Sequence, residues 1–380
     1  MFAELVPFLI VTPPLAYSLL SLWCTRAFFR GAVVGAADRL PVTLLKPVKG
    51  LDAESYENFA SFCRQEYAEF QLIFVVARDD DPAIPVIRQL LDDFSAVDIE
   101  LVVDGMLHGP NYKVGNLINA LPRAKHDLLV ITDADVRVSP GYLSAVAAAF
   151  ADPTVGLVTS LYRSSGVQGW ATAIEGLGFS AEMIPNVLVA HRLEGLSFAL
   201  GASMAVRREV LAAIGGMEAL VDFLADDYQL GHKVHRAGWR LVLSGHFVEC
   251  VMTRESLLDV LLRQLRWART MRVSRPGGYL ASGVTLAFPA ALLAILAGGG
   301  GAVGWGAAAL LYGVRAAVMT ALSRIYVRDG LLPGYLWLLP LRDALASACW
   351  GLAFLGRRVV WRGHQYTIVP GGKLEEIDES

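Results

Sequence analysis

Leu128-Leu129-Val130-Ile131-Thr132-Asp133-Ala134-Asp135 is the stretch on which the fold class turns. Four apolar residues and a threonine read as a buried strand, and the run stops on two carboxylates one residue apart. In extended backbone, residues i and i+2 point the same way, so Asp133 and Asp135 can face one site. Working outward, strand-like runs recur at Val42–Leu45, Gln71–Ala77, Ile99–Val103 and Gly156–Thr159. Helix-compatible segments separate the first four runs: Glu54–Gln65, Pro82–Phe94 and Lys113–Leu121. This alternation predicts an α/β domain on a mostly parallel sheet with helices on both faces. Ligands of such sheets collect at the carboxyl ends of the strands, where Asp79 and Asp133 fall.

The flanks are different. Of 380 residues, 54% are hydrophobic and only 18% charged, against about 25% charged in an ordinary soluble protein. Mean hydropathy is +0.46. Leu5–Cys24 carries no charge, precedes Arg26 and Arg30, and is long enough to span a hydrocarbon core. A cleaved signal peptide fits poorly, because the positive charges come after the apolar run. The two arginines put the chain beyond them in the cytosol. Residues 1–30 thus read as an anchor, 38–256 as the α/β domain, 257–278 as a basic helix, 279–356 as membrane segments and 357–380 as a cytosolic tail. Leu280–Ala297 and Ala302–Thr320 read as two spans around a Gly298–Gly301 turn. Leu331–Leu355 is interrupted by Arg342 and Asp343. Three full spans would strand the basic tail (Arg357, Arg358, Arg362) on the far side, so the third stretch is expected to be interfacial or re-entrant. A net charge of −3 does not favour a nucleic-acid partner. Four scattered cysteines argue against a disulfide framework or a zinc site.

Paired carboxylates at a strand end suit Mg²⁺ or Mn²⁺, which take oxygen ligands and bridge carboxylates to phosphates. The bland alternative is a solvated turn with incidental acids. Asp79-Asp80-Asp81 precedes a Pro82-led helix; a helix start explains one aspartate, but not three that repel one another. Asp226-Asp227 precedes a helix over Tyr228–Ala237. The pair either complements the helix dipole or supplies a general base. Within Leu257–Arg275, arginines recur at 263, 266, 269, 272 and 275, with Trp267 among them. That pattern reads as a basic amphipathic helix on anionic lipid, with room for an arginine that neutralises a leaving diphosphate. Lys46, Lys49 and Lys113 could approach phosphates, although a solvated lysine is the default.

Taken in order, these pieces resemble the ceramide glucosyltransferase family and its bacterial relatives, inverting glycosyltransferases with a GT-A fold (Rossmann-like). The resemblance is carried by Leu45–Gly50 (LKPVKG), Asp79–Ala83 (DDDPA), Asp133 and Asp135 as a DxD pair, Asp226-Asp227, Arg263–Trp267 as (Q/R)xxRW, and Trp361-Arg362 through Gly371-Gly372 to Leu374–Glu376. It implies a GT-A catalytic domain with N- and C-terminal transmembrane helices, and transfer of a hexose from a UDP-sugar to a membrane-lipid hydroxyl with inversion. Asp80, Asp81, Lys113 and Asp133 would bind the nucleotide, and Asp133 and Asp135 the Mg²⁺ or Mn²⁺. Asp227 would be the base, oriented by Asp226. Arg263 and Arg266 would stabilise the leaving diphosphate, and Trp267 would shape the acceptor side. UDP-glucose and ceramide are the expected substrates, at a bacterial inner membrane.

A sister group that glycosylates hopanoids shares stretches like Tyr56–Tyr67, Gly156–Arg163 and Leu265–Thr270. Transfer of N-acetylglucosamine to bacteriohopanetetrol is therefore the alternative. Between Phe179 and Glu194 the sequence departs from the animal ceramide enzymes. A processive polysaccharide synthase shares the acidic sites, but carries Gln where this chain has Arg263 and needs more spans to line a channel.

Overall fold

The computed structural model describes residues 2–31, 40–332, 334–361 and 364–377. Asp38 and Arg362 lie outside the described residues. Helix α1 (Phe2–Gly31) leads into an α/β domain. Its first half alternates β1 (Val42–Pro47), α2 (Ser55–Cys63), β2 (Phe70–Val76), α3 (Ala83–Asp93), β3 (Asp98–Val103), α4 (Tyr112–Ala120) and β4 (Leu128–Thr132). Strands β1, β2 and β4 are buried along nearly their whole length, which is why they read as continuous apolar runs rather than alternating ones.

The second half adds β5 (Val136–Arg137), α5 (Tyr142–Ala147), β6 (Val155–Ser165), α6 (Trp170–Gly178), α7 (Ile184–Glu194), β7 (Ser203–Arg207), α8 (Arg208–Ala213), α9 (Asp226–Arg236) and β8 (Arg240–Val251). The eight strands form one sheet in the order β3-β2-β1-β4-β7-β6-β8-β5. The expectation of a mostly parallel sheet holds, with six of the eight strands running one way. β3-β2-β1-β4 and β6-β8 pair in parallel, while β7 runs antiparallel to both β4 and β6, and β5 antiparallel to β8. The sheet is mixed. The parallel half still brings the ends of β1 and β4 side by side, which sets the site.

Helix α10 (Leu257–Ser274) opens with a capping box, the Ser256 hydroxyl accepting from Asp259 N–H while the Asp259 carboxylate accepts from Ser256. Pro276 then starts α11 (Pro276–Ser282), succeeded by α12 (Ala287–Ala297), α13 (Ala302–Ala321) and α14 (Leu339–Leu352). Glu4–Gly31, Ala302–Val327 and Leu336–Leu355 are each long and apolar enough to cross a membrane, and Pro276–Thr285 with Ala287–Ala297 make a fourth candidate bent by 47°. The protein is thus multi-pass. Val11 of α1 packs with Ala287, Ala291 and Ala294 of α12 and with Ala307, Ala308 and Leu311 of α13, small residues that let the three helices approach closely.

α14 packs against α12 of that bundle and against α10. Before it, the Val327 and Arg328 carbonyls accept from Arg163 of β6. After it, the Gly356 and Arg358 carbonyls accept from Arg272 and Arg269 of α10. Both ends are thus tied to β6 and α10, and Leu336–Leu355 between them is long and apolar enough to cross a membrane. Its two interrupting charges are paired: Asp343 with Arg315 of α13 in a two-pronged contact (2.6 and 2.7 Å), and Arg342 with Glu182 (2.5 Å). The chain ends in a small antiparallel sheet, β9 (Arg358–Trp361), β10 (His364–Ile368) and β11 (Leu374–Glu376). It docks on the domain through Lys373–Asp222 (2.9 Å) and Leu374 N–H to the Asp222 carbonyl (2.7 Å).

Candidate active site

The site forms where the carboxyl ends of β1 and β4 lie together. Asp133 and Asp135 leave the end of β4. Beneath them the fully buried Lys46, near the end of β1, donates to the Asp133 carbonyl (2.7 Å) and reaches the Thr132 hydroxyl (3.4 Å). Its ammonium also sits 4.0 Å over the Phe62 ring. Burial pushes the Lys46 pKa down to about 7, against the pull of Asp135 and Asp133. Lys46 is therefore a prop for the acidic loop; the sequence offers it as a phosphate ligand or a solvated lysine, and its burial shows it is neither. Burial pushes the Asp135 carboxyl up to about 7, helped by Asp133 and Asp52.

Lys113, from the first turn of α4, joins the second acidic pair to the first. Its ammonium lies 2.6 Å from Asp133 Oδ1 and 3.4 Å from Asp226 Oδ2. Burial works against its charge, but Asp133 and Asp226 outweigh it and the net shift is upward. Asn111 caps α4 by accepting from Val114 N–H, and its amide donates to the Phe223 carbonyl (2.7 Å) and Asp226 Oδ1 (3.4 Å). Asp226 and Asp227 open α9. Asp227 Oδ1 accepts from Tyr228 N–H (2.7 Å), and a Cβ on Gly201 would come within 2.9 Å of its Oδ2. Burial and the neighbouring Asp226 raise the Asp227 carboxyl to about 6, with Lys113 opposing. The tail sheet braces this corner through Lys373–Asp222 and the Tyr366 hydroxyl, which donates to the Pro110 carbonyl.

Other expected residues are held by further contacts. Asp81 is buried and accepts from Gly50 N–H (3.0 Å) and Ala83 N–H (2.9 Å), fastening the loop after β1 to the start of α3. Asp80 is exposed and pairs with Arg78. Arg263 lies between Glu175 of α6 and Glu255, in a two-pronged bond to Glu175 (2.7 and 2.5 Å) and close contact with Glu255. Burial raises the Glu175 pKa even with Arg263 beside it. Arg266 is half-buried, and its carbonyl accepts from Thr270. The Trp267 ring lies 6.4 Å from Phe179, which meets Tyr162 edge-on at 4.9 Å. Tyr162 lies within electrostatic reach of Asp227, Asp133 and Glu175, so this aromatic row leads from α10 toward the acids.

Arginines of the α10 row have partners within the protein. Arg263 pairs with Glu175, Arg275 with Glu194, and Arg269 and Arg272 donate to carbonyls of residues 358 and 356. Its outward residues include Leu258, Leu262 and Met271. Sequence reading misses Asn111, Glu175 and Tyr162. Glu175 leaves a trace, as the lone acid in an apolar stretch from Trp170 to Ala181.

For a divalent cation the donor set is suitable but incomplete. Asp133 and Asp135 supply hard carboxylate oxygens, and no group of three His, Cys, Asp or Glu side chains able to hold an ion occurs among the described residues. A cation held by this pair would need further oxygen ligands from outside the protein side chains, as Mg²⁺ and Mn²⁺ commonly do.

A mixed α/β sheet with a carboxylate pair ending its central parallel strand, a second acidic pair facing it and apolar helices on both flanks defines a membrane-bound glycosyltransferase of the GT-A type. Residues 6–374 match the family described as "Glycosyl transferase family 21". The chain belongs to that family. It is similar to ceramide glucosyltransferase 3 of Caenorhabditis elegans (26% identical over 253 residues, 66% of this chain and 55% of that one). It is also similar to ceramide glucosyltransferase 1 of the same organism (27% over 229 residues, 60% and 49%). The chain thus spans about half the length of the curated relatives it matches. In fold it resembles a mannosyltransferase from Pyrobaculum calidifontis solved with GDP-Man and Mn²⁺ (18% identity, TM-score 0.56, 93% of this chain and 99% of that one).

Proposed function

We propose that the protein transfers a hexose from a UDP-sugar to the hydroxyl of a membrane lipid with inversion, with UDP-glucose and ceramide as substrates. The observation that carries the reading is the Lys113 bridge: a single ammonium touches both Asp133 and Asp226. Donor and acceptor acids thus lie within one side chain of each other, as a one-step displacement requires. The resemblance to two ceramide glucosyltransferases supports the choice of lipid.

In this reading Asp133 and Asp135 would hold a Mg²⁺ or Mn²⁺, which would supply positive charge to offset that developing on the leaving diphosphate. Lys46 keeps the acidic loop in place. Asp227 takes the proton from the lipid hydroxyl, and Asp226, held by Asn111 and Lys113, orients it. Asp81 acts through the Gly50 backbone, shaping the nucleotide side without spending its carboxylate on the ligand. Arg263 acts in the same indirect way, since Glu175 and Glu255 already neutralise it; Arg266 and Trp267 face the diphosphate and acceptor. The catalytic domain lies in the cytosol, where UDP-sugars are at hand, and α14 lies along the membrane face beneath α10. The lipid reaches the site from there.

The test is an assay of purified protein in detergent with radiolabelled UDP-glucose, Mn²⁺ and ceramide, resolved by thin-layer chromatography. A labelled, β-linked glucosylceramide supports the proposal. Labelled product only with bacteriohopanetetrol and UDP-N-acetylglucosamine, or a polymer that stays at the origin, overturns it.

A further inference from the structure

We infer that Lys113 is a built-in counter-ion that holds the place of the donor's cation and makes the cation and the nucleotide diphosphate bind as a unit. The inference rests on the donor site proposed above and adds an order of assembly to it. Its ground is the position of one ammonium group. The Lys113 side chain is about nine-tenths buried, and it meets the cation-ligand candidate Asp133 at 2.6 Å and the acceptor-side Asp226 at 3.4 Å. Asp227 and Asp133 both act on it electrostatically, so it offsets the mutual repulsion of carboxylates from two different loops.

The consequences for ligands have opposite signs. A bare divalent cation approaching Asp133 must displace or crowd an ammonium that already uses the same carboxylate oxygen, and like charges at such distances repel strongly inside a protein. A diphosphate feels the reverse, because Lys113 is a donor-rich cation beside the place where phosphate oxygens would lie. A cation and a diphosphate arriving together satisfy all parties: the cation takes Asp133, and the ammonium turns to the phosphate while keeping Asp226. Lys113 thereby opposes the ion alone, favours the pair, and remains in contact with the acceptor acid throughout. Lys46 cannot play this part. It is buried beneath the loop, and its closest contact there is the Asp133 backbone carbonyl, not a carboxylate.

A role as a mere structural tie predicts something different. Removing a tie loosens the site and weakens every ligand. Removing a place-holder strengthens the bare ion and weakens the nucleotide.

The experiment measures Mn²⁺ binding to detergent-solubilised full-length protein by electron paramagnetic resonance, with and without UDP, for wild type, Lys113→Met and Lys113→Gln. The glutamine variant can still hydrogen-bond the carboxylates, and it serves if the methionine variant does not fold. Without UDP, the variants are expected to bind Mn²⁺ about tenfold or more tightly than wild type. UDP should enhance Mn²⁺ binding strongly in wild type and several-fold less in the variants. Equal or weaker Mn²⁺ binding by folded variants overturns the place-holder and leaves the donor site standing. If neither wild type nor variants bind Mn²⁺, with or without UDP, the donor-site reading falls and this inference falls with it.

Discussion

Replacing Asp227 by asparagine tests the acceptor half of the site with little disturbance. Asparagine has the same shape, and its carbonyl oxygen can go on accepting from Tyr228 N–H, the 2.7 Å bond that Asp227 Oδ1 now takes. The small residue beside it, Gly201, leaves room for either side chain. What changes is the capacity to take a proton. Loss of a general base typically costs about 10²–10⁴-fold, and Asp227→Asn should fall in that range while Mn²⁺-dependent UDP binding persists.

The pH profile makes the same prediction sharper. Burial and Asp226 raise the Asp227 carboxyl to about 6. A raised carboxyl carries its proton below that pH and is free to act above it, so activity must be lost as pH falls through about 6. In wild type, kcat/KM for the lipid should be level above pH 7 and drop by about tenfold for each unit below 6. In Asp227→Asn that acid limb disappears and the small residual rate is flat. Lys113 holds the Asp227 pKa down, so Lys113→Gln should move the limb to higher pH. The measurement is UDP release from UDP-glucose with saturating donor and varied ceramide across pH 4.5–8.5. An Asp227→Asn variant that keeps more than about a tenth of wild-type turnover, or keeps the acid limb unmoved, refutes the assignment.

Chelation should abolish transfer, and added Mn²⁺ or Mg²⁺ should restore it. Asp135→Asn should raise the Mn²⁺ concentration needed for half-maximal rate by about tenfold or more, since one of two protein carboxylates is lost. Glu175→Gln removes one of the two acids that clamp Arg263. Breaking a buried pair costs about 3–5 kcal/mol; with Glu255 still in place the loss here should be about 2 kcal/mol, read as a lower midpoint in thermal unfolding. Unchanged unfolding would show that the clamp contributes nothing to stability. Finally, single cysteines at Gly300 and Lys373 should react with an impermeant maleimide from opposite faces of the membrane. Labelling of both from one face would refute the account of α12 and α13 as a crossing pair and α14 as a segment without net crossing.

Much of the catalytic frame is legible in the sequence because its signals are local. β1, β2 and β4 are buried on both faces and read as unbroken apolar runs. β7 and β8 escape such a reading. Ser203–Arg207 has only three apolar residues between a serine and an arginine, and Arg240–Val251 is broken by Ser244-Gly245-His246 and by register shifts against β6. Their identity as strands depends on partners far along the chain. The acids announce themselves by clustering at strand and helix ends. The lysines cannot, because nothing in the letters around Lys46 distinguishes a solvated ammonium from one sealed over a phenylalanine ring. Helical spacing alone makes the arginines of α10 look like a lipid-facing row. Glu175 and Glu194, together with the carbonyls of residues 356 and 358, turn that row inward, and each lies about 80 or more residues away in the chain.

That inward turn bears on how a soluble donor meets a lipid. Arg263 grips α6, Arg275 grips the end of α7, and Arg269 and Arg272 grip the chain between α14 and the tail sheet. One helix thus fastens the catalytic domain, α14 and the tail, each by a hydrogen bond from a charged group. Where buried, such bonds contribute about 1.5–3 kcal/mol apiece; the exposed Arg275–Glu194 pair contributes about 0–1 kcal/mol. The tail so anchored holds Asp222 four residues before Asp226. Strain applied to α14 by the bilayer would therefore be felt at the acceptor acids through α10 and the tail, without passing through the sheet. With Asp227 as the proposed base, its position relative to α14 is tied to Arg269, Arg272 and the tail sheet.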